Sequence, residues 1–281
     1  MNIAERIRQN QEEMTRSERT IATCFLTRQS DFAFFTLEQL AENAHVSTAT
    51  VIRFCRRLGF SGFKAFRDAV REDVRRLPGL PDKYRRALPL FENDRLLAET
   101  LRRDEDAVEQ SLASLDKAAL QKAVKYLSGA ERVFTFGMKE SLALAHYAQT
   151  RFLSVRPEVW LLSGPGEGEV ETVLNLKKGD LCLVFLFHRY TRLTRSLLPA
   201  IRERGATVLL ITDPPEDELK RSADLVLPCR VDVGGIKNSF AAPLVLTDYL
   251  CGAVAFDRGD AALSHMTAAE ALFRDNGVVE N

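Results

Sequence analysis

The sequence has little that could form a disulfide, cross a membrane or direct export. Its five cysteines include no Cys-x-x-Cys pair and lie within apolar runs, so we expect buried thiols in a reducing compartment. The N-terminal segment has no apolar signal core. No apolar stretch approaches the roughly 20 residues that a membrane-spanning helix needs. These absences predict a cytoplasmic protein without membrane contact.

The chain also lacks the residue spacings of metal sites and hydrolytic enzymes. None of its four histidines forms a metal-spaced pair with another histidine, a cysteine or a carboxylate cluster. No nucleophile elbow and no Ser-His-Asp order is present. Residues 164–169 are glycine-rich but lack the phosphate-loop signature, so they are expected to form a plain loop. We predict no metal, no cofactor and no catalytic residue.

Charge is balanced overall but unevenly distributed along the chain. The 39 Lys and Arg equal the 39 Asp and Glu. Residues 53–90, however, hold 11 basic against 4 acidic residues, whereas residues 1–52 hold 5 against 7. A basic segment of this kind suits the phosphate backbone of a nucleic acid.

Residues 36–60 have the pattern of two short helices joined by a three-residue turn. Apolar residues give each helix one buried face, and Ser47 occupies the N-cap position of the second helix. The opposite face of that helix carries groups that suit base edges and phosphates, namely Thr48, Thr50, Arg53, Arg56 and Arg57. The pattern predicts a helix-turn-helix with the second helix as reader. A helical hairpin with a solvated arginine face is the alternative.

The first 76 residues resemble the N-terminal domain of the MurR/RpiR family of bacterial transcriptional regulators. The resemblance rests on MTRSERTIATCFL and above all on VSTATVIRFCRRLGFSGF, which keeps the family's order and spacing. It implies that Phe60 and Phe63 close the core. It also implies that Ser47, Thr48, Thr50 and Arg53 face DNA, with Arg56, Arg57 and Lys64 beside the phosphates.

A linker is predicted after this domain. Residues 77–94 place three prolines among charges, which works against a continuous helix. From residue 95 a helical apolar pattern resumes. We therefore predict a helix-turn-helix domain at 1–76, a linker and connecting helix at 77–116, and a third segment at 117–281. The connecting segment could join the domains or pack across a dimer.

Strand and helix patterns alternate after residue 116. Strands are predicted at 132–137, 158–162, 181–187, 207–213 and 225–229, and helices at 141–153, 169–176, 191–204, 217–223, 239–256 and 261–273. Continuous apolar runs are typical of strands buried on both faces of a parallel sheet. The predicted fold class is α + α/β: an all-helical N-terminal domain joined to an α/β sandwich with a mostly parallel sheet. Residues 117–260 resemble the SIS (sugar isomerase) domain that follows the DNA-binding domain in this family.

In sugar-phosphate-binding relatives, that resemblance implies two hydroxyl-rich and glycine-rich loops, one after the first strand and one after the strand near residue 180. Here the first loop reads GMKES, with Lys139 at the second glycine position, and the second reads LFHRYT. The string FHRYTRLT resembles a variant subgroup with an F-x-R-Y-[ST]-R-x-T signature. The predicted effector residues are Gly137, Lys139, Ser141, Ser163, His188, Arg189, Tyr190, Thr191 and Thr194.

Lys139 and Arg189 would offer positive charge to an anion, with a guanidinium able to hold a phosphate or carboxylate bidentately. Ser141, Thr191 and Thr194 would cap the helices beneath it. Alternatively, Arg189 makes a structural salt bridge and Tyr190 packs at an interface.

The sequence predicts a regulator that binds a double-stranded, two-fold symmetric DNA operator as a homodimer or homotetramer. A small anionic metabolite, such as a sugar phosphate, would modulate that binding. One alternative is a sugar-phosphate isomerase, but in the predicted helix at 239–256 Asp248 is the only residue that is charged at neutral pH, and no catalytic base is evident. Another is a SIS-like domain that only dimerises. We expect no enzymatic activity.

Overall fold

The computed structural model describes residues 3–27, 32, 35–75, 83–85, 88, 95–162, 167–188, 190–213, 217–231 and 235–278. Internal contacts divide the chain into two compact units, Met1–Arg85 (unit 1) and Arg86–Asn281 (unit 2). The division falls inside the segment predicted as a linker.

Unit 1 is helical over its described residues. Its helices are α1 (Ile3–Asn10), followed by a 3-10 turn (Gln11–Glu13), then α2 (Arg16–Thr27), α3 (Leu37–Asn43), α4 (Thr48–Arg57) and α5 (Phe63–Arg75). Phenylalanine rings fill its core: the Phe25 and Phe32 rings lie 5.0 Å apart, and those of Phe54 and Phe66 lie 6.0 Å apart. Phe60 and Phe63 pack at the margin of this core, as expected.

Unit 2 alternates helices and strands. Its elements are α6 (Leu96–Ser114), α7 (Lys117–Gly129), β1 (Val133–Gly137), α8 (Ser141–Leu153), β2 (Val159–Leu162), α9 (Glu167–Leu174), β3 (Leu181–Leu186), α10 (Arg192–Glu203), β4 (Thr207–Thr212), α11 (Asp217–Arg221), β5 (Leu225–Pro228), α12 (Ala241–Arg258) and α13 (Asp260–Asp275). The five predicted strands are confirmed, whereas α7 was not predicted. Within the described residues, no helix combines the length and apolar character needed to cross a membrane.

The five strands form one parallel sheet in the order β2-β1-β3-β4-β5. Chain order reverses between β1 and β3, which therefore mark the topological switch point where ligands of such sheets bind. Gly137 is in register with Phe185, so the loops that leave these two strands lie side by side at the carboxyl edge of the sheet.

Helices cover both faces of the sheet. Alternate strand residues pack with α7, α8 and α12 on one face and with α9, α10 and α11 on the other. Burial on both faces explains why β1 and β3 are apolar at nearly every position. The fold class is an N-terminal helical region joined to a three-layer α/β domain with a parallel sheet, as predicted.

Candidate nucleic-acid and effector sites

Local capping sets the geometry of the α3–turn–α4 motif. Thr36 and Gln39 form a reciprocal capping box at the start of α3, and the Ser47 hydroxyl accepts a hydrogen bond from the Thr50 backbone N–H at 3.2 Å. His45 lies in the turn with a φ of +49°. The predicted N-cap role of Ser47 is thus confirmed, and the cap fixes where α4 begins.

The exposed face of α4 includes most of the residues assigned to DNA. Ser47, Thr48, Arg53 and Arg56 are exposed, and so is Lys64 on α5. Since α4 is amphipathic and its other face enters the unit 1 core, Thr48, Arg53 and Arg56 share the solvent-facing side of this helix.

Thr50 requires a correction, because it is only 8% exposed and does not face solvent. Its hydroxyl shares a 2.9 Å hydrogen bond with the Ser47 hydroxyl and accepts one from Arg53 Nη2 at 3.2 Å. Thr50 lies four residues before the buried Phe54, so helical spacing places it beside the core face, and only its polar hydroxyl suggested a DNA-facing position. Its role in this structure is to position Ser47 and Arg53.

Arg57 is held within unit 1. Its Nε donates to Oε1 of Glu18 at 3.1 Å, and Glu18 is 4% exposed. Burial raises the pKa of Glu18, but hydrogen bonds from Thr15 and Arg57 outweigh burial and bring the pKa below its ordinary value. Arg57 therefore ties α4 to α2, a contact that was not foreseen when it was assigned to a phosphate.

Sequence reasoning overlooked Ala49 on the same exposed face. Ala49 lies one helical turn before Arg53 and is exposed. Its methyl group is suited to contact with a thymine methyl in the major groove. The i, i+4 spacing to Arg53 was the available signal, but a small apolar residue attracts less attention than a hydroxyl or a guanidinium.

The loop after β1 is shaped by one glycine and one strained lysine. A Cβ added at Gly137 would lie 2.4 Å from the backbone oxygen of Ser141, so only glycine fits. Lys139 adopts a φ of +54° and is exposed. Lys139, which stands at the second glycine position of the pattern that the first loop resembles, thus adopts a left-handed conformation and carries a positive charge there.

The loop after β3 lies next to the loop after β1. Nδ1 of His188 is 3.5 Å from Oδ2 of Asp213, which follows β4, and the His188 ring lies 4.8 Å from that of Tyr190. Arg189 and Ser163, both assigned to the effector, lie outside the described residues. Asp213 was missed because it belongs to a different strand end.

The predicted capping of the two helices beneath these loops is wrong. Thr191 occupies the N-cap position of α10, but its hydroxyl donates to the Thr194 hydroxyl at 2.7 Å instead of accepting from the backbone. Ser141 is the first residue of α8, and the side chain of its N-cap residue, Glu140, makes no capping hydrogen bond. Neither N-cap side chain therefore satisfies a first-turn N–H group of its helix.

The segment 235–240 contacts the loops at the carboxyl edge of the sheet, and the sequence pattern did not indicate this. Lys237 forms an ion pair with Glu140 in the β1 loop, and Asn238 Nδ2 donates to the carbonyl oxygen of His188 in the β3 loop at 2.8 Å. Both contacts join residues far apart in the chain, so no local pattern indicated them. Lys139, Ser141, His188, Tyr190, Thr191 and Thr194 are thus brought to one edge.

The cysteines behave as apolar core residues. Cys55, Cys182, Cys229 and Cys251 are buried, and Cys24 is partly buried. Burial raises the pKa of the Cys55 and Cys229 thiols to about 12, so they stay protonated at neutral pH. Across the described ranges, no group of three or more His, Cys, Asp or Glu side chains could hold a metal ion.

Comparison with known proteins gives matches in both units. Residues 1–76 match the helix-turn-helix domain of the rpiR family, and residues 126–251 match the SIS domain. The HTH-type transcriptional regulator HexR of Escherichia coli (strain K12) is 27% identical over 282 residues, covering 98% of this chain and 92% of that protein. HexR of Pseudomonas aeruginosa is 26% identical, covering 92% and 90%.

Solved structures show the same fold. The sugar isomerase domain of the RpiR transcription factor from Sphaerobacter thermophilus has a TM-score of 0.60 at 24% identity, covering 63% of this chain and 98% of that one. The Vibrio vulnificus NanR protein complexed with ManNAc-6P has a TM-score of 0.59 at 19% identity, with full coverage of both chains. The chain therefore joins an rpiR-family helix-turn-helix domain to a SIS domain, and the relatives that match it over nearly their full length are named HTH-type transcriptional regulators.

Proposed function

We propose that unit 1 binds double-stranded DNA with α4 in the major groove. Thr48, Ala49 and Arg53 would meet base edges, because the first turns of a reading helix face the bases. Arg56 and Lys64 would contact phosphates, which set affinity and register but carry no sequence information directly. The observation that supports this assignment is that Thr48, Ala49, Arg53 and Arg56 are exposed on the side of α4 opposite its core contacts.

We propose that the operator is two-fold symmetric and that the protein binds it as a homo-oligomer. A dimer presents two reading helices about 34 Å apart, one turn of DNA, so its symmetry is mirrored in the half-sites. Because this role requires access to the genome, we expect the protein to act in the cytoplasm.

We propose that unit 2 binds a small anionic metabolite at the carboxyl edges of β1 and β3. The observation that carries this proposal is Lys139, an exposed lysine with a φ of +54° at the switch point of the sheet. A non-glycine residue in this conformation is strained, and such strain is concentrated at functional sites. The two helix N-termini without side-chain caps add partial positive charge at the same edge.

A phosphorylated sugar is the ligand class that the comparisons favour. NanR of Vibrio vulnificus, which has the same fold over its whole length, is complexed with ManNAc-6P. The β1 and β3 loops of this chain, GMKES and LFHRYT, carry Lys139 and Arg189, which suit an anionic group on the ligand. Arg189 of the F-x-R-Y signature would supply a second cation to it.

Binding of this anion would alter operator affinity. A ligand shifts the equilibrium between two arrangements of the protein only by its difference in affinity for them. Such coupling commonly changes affinity by about 5- to 150-fold. The effector would then report the level of a carbon source to the promoter.

The test begins with selection of an operator from random-sequence duplex DNA by the full-length protein. Operator affinity is then measured with and without inorganic phosphate, a panel of sugar phosphates and a panel of sugar acids. We expect enrichment of a two-fold symmetric site and a change in affinity with at least one anion. Failure to enrich any sequence would overturn the DNA-binding proposal. An operator whose affinity no anion changes would overturn the effector proposal and favour a SIS domain that only dimerises.

Isomerase activity is a second candidate because of the His188–Asp213 contact. A histidine next to a carboxylate at the carboxyl edge is suited to act as a general base. We nevertheless propose a regulator without enzymatic activity, in line with the relatives' names. Incubation with the same sugar phosphates, followed by NMR, tests this, and turnover that is lost in His188→Asn would establish an enzyme.

A further inference from the structure

The segment 235–240 is placed between the two proposed effector loops on one side and α6 on the other. On the loop side, Lys237 pairs with Glu140, Asn238 donates to the His188 carbonyl, and the Phe240 ring lies 5.7 Å from that of Phe187. This short segment therefore touches both the β1 loop and the β3 loop.

On its other side, the segment forms one wall of a cavity of about 320 Å³. The opposite wall belongs to α6 and includes Leu96, Thr100 and Arg103. A cavity of this size leaves room for the segment to move against α6, since close-packed interiors otherwise resist displacement. Along the chain, α6 begins at Leu96, ten residues after the start of unit 2 at Arg86, so it lies close in sequence to the DNA-binding unit.

The Lys237–Glu140 pair is suited to exchange its partner. Both side chains are about half exposed, and exposed ion pairs contribute little to stability. A phosphate or carboxylate of the ligand would compete with Glu140 for the Lys237 ammonium group, because it too forms a charge-assisted hydrogen bond with that group. The Asn238 and Phe240 contacts keep the segment attached to the β3 loop during this exchange.

We propose that Lys237 is a further effector-binding residue and that segment 235–240 transmits its movement to α6. On this proposal, which rests on the proposed effector function, the anion replaces Glu140 as the ion-pair partner of Lys237. The segment then shifts into the cavity, and this changes its packing against α6. The effector is thereby sensed by α6, a helix that lies close in sequence to the DNA-binding unit.

The transmission step can be tested without any ligand. Hydrogen–deuterium exchange of the α6 amides is compared in the full-length wild type, Glu140→Gln and Lys237→Met. Both variants break the ion pair, so α6 should exchange at least about twofold faster in each. The matched control is Lys177→Met, which breaks an equally exposed lysine–glutamate pair (Lys177–Glu131, 2.8 Å) at the opposite edge and should leave α6 unchanged. Unchanged α6 exchange in both test variants would overturn the transmission step.

The binding step is tested with inorganic phosphate as the probe. Lys237→Met should weaken phosphate binding by about tenfold or more, because it removes a charge-assisted hydrogen bond. Glu140→Gln should strengthen it by removing a competitor, and Lys177→Met should have no effect. Equal phosphate affinity in Lys237→Met and wild type would remove Lys237 from the site. If wild-type protein bound neither phosphate nor any sugar phosphate, the proposed effector function itself would fail, whereas the exchange measurement would still decide the mechanical link.

Discussion

Arg57 and Glu18 hold α4 against α2. The guanidinium Nε donates to Oε1 at 3.1 Å, and the same carboxyl group accepts from the backbone N–H and hydroxyl of Thr15 at 2.9 Å each. The ion pair thus joins α4 to the start of α2. A last-turn arginine that would ordinarily be assigned to a phosphate instead orients α4 within its domain.

Loss of this contact should lower stability in a pH-dependent way. Glu18→Gln should reduce the free energy of unfolding by about 1–2 kcal/mol at neutral pH. The folded-state pKa of Glu18 lies below its ordinary value of 4.5. The stabilisation is therefore present above that value and is lost as pH falls through the folded pKa. Urea unfolding from neutral to acidic pH should show a shallower acid loss in Glu18→Gln than in wild type. The exposed Glu42→Gln is the control, and an equal acid profile for all three proteins would refute the idea.

Arg53→Ala should weaken operator binding selectively. If Arg53 makes a base contact, its loss should cost about 1–3 kcal/mol on the operator and much less on random DNA. Fluorescence anisotropy with both duplexes at one salt concentration measures the difference. An equal loss on the two duplexes would reassign Arg53 to the phosphate backbone.

Lys64→Ala should weaken operator and random DNA alike. A phosphate contact releases counterions, so its loss should reduce the slope of log affinity against log salt by about 1. Titrations at several salt concentrations provide the slope. A slope identical to that of wild type would show that Lys64 does not contact DNA.

Lys139→Gly should make unit 2 more stable but a poorer anion binder. A non-glycine residue in the left-handed region costs roughly 1–2 kcal/mol, and glycine's larger unfolded-state entropy offsets part of the gain. We expect a net increase of about 0.5–1 kcal/mol in the free energy of unfolding. Differential scanning fluorimetry with and without phosphate measures both effects.

Glu158→Gly is the matched control for that experiment. Glu158 also has a left-handed φ, +57°, but it precedes β2 at the amino edge of the sheet. The Glu158→Gly variant should be more stable than wild type and should bind phosphate equally well. If Lys139→Gly behaved in the same way, the strain at Lys139 would have no connection with a ligand.

Gly137→Ala should destabilise unit 2 strongly. The new methyl group would lie 2.4 Å from the Ser141 backbone oxygen, so the β1 loop or the start of α8 must move, at a cost of about 1–3 kcal/mol or more. Gly252→Ala is the contrast: no atom lies within 4 Å of its added methyl group. In the middle of α12 it should stabilise by about 0.5–1 kcal/mol. Thermal unfolding of the two variants separates the steric effect of the added methyl group from the general effect of replacing glycine by alanine. A Gly137→Ala protein as stable as wild type would contradict the predicted steric clash.

By itself the sequence determined the features that depend on neighbouring residues. Ser47 could be recognised as a cap because capping needs only the three residues that follow it. The strands β1, β3 and β4 could be recognised because burial on both faces requires an unbroken apolar run. The family pattern of residues 1–76 was readable for the same reason.

Only the tertiary structure decided which polar groups meet. Arg57 and Glu18 are 39 positions apart, His188 and Asn238 are 50 apart, and Glu140 and Lys237 are 97 apart. Hydrogen bonds and ion pairs act over a few ångströms in space whatever the separation in sequence, so periodicity cannot reveal them. The type and order of the helices and strands could be predicted from local sequence. The set of side chains in each site depended on chain segments that only folding brings together.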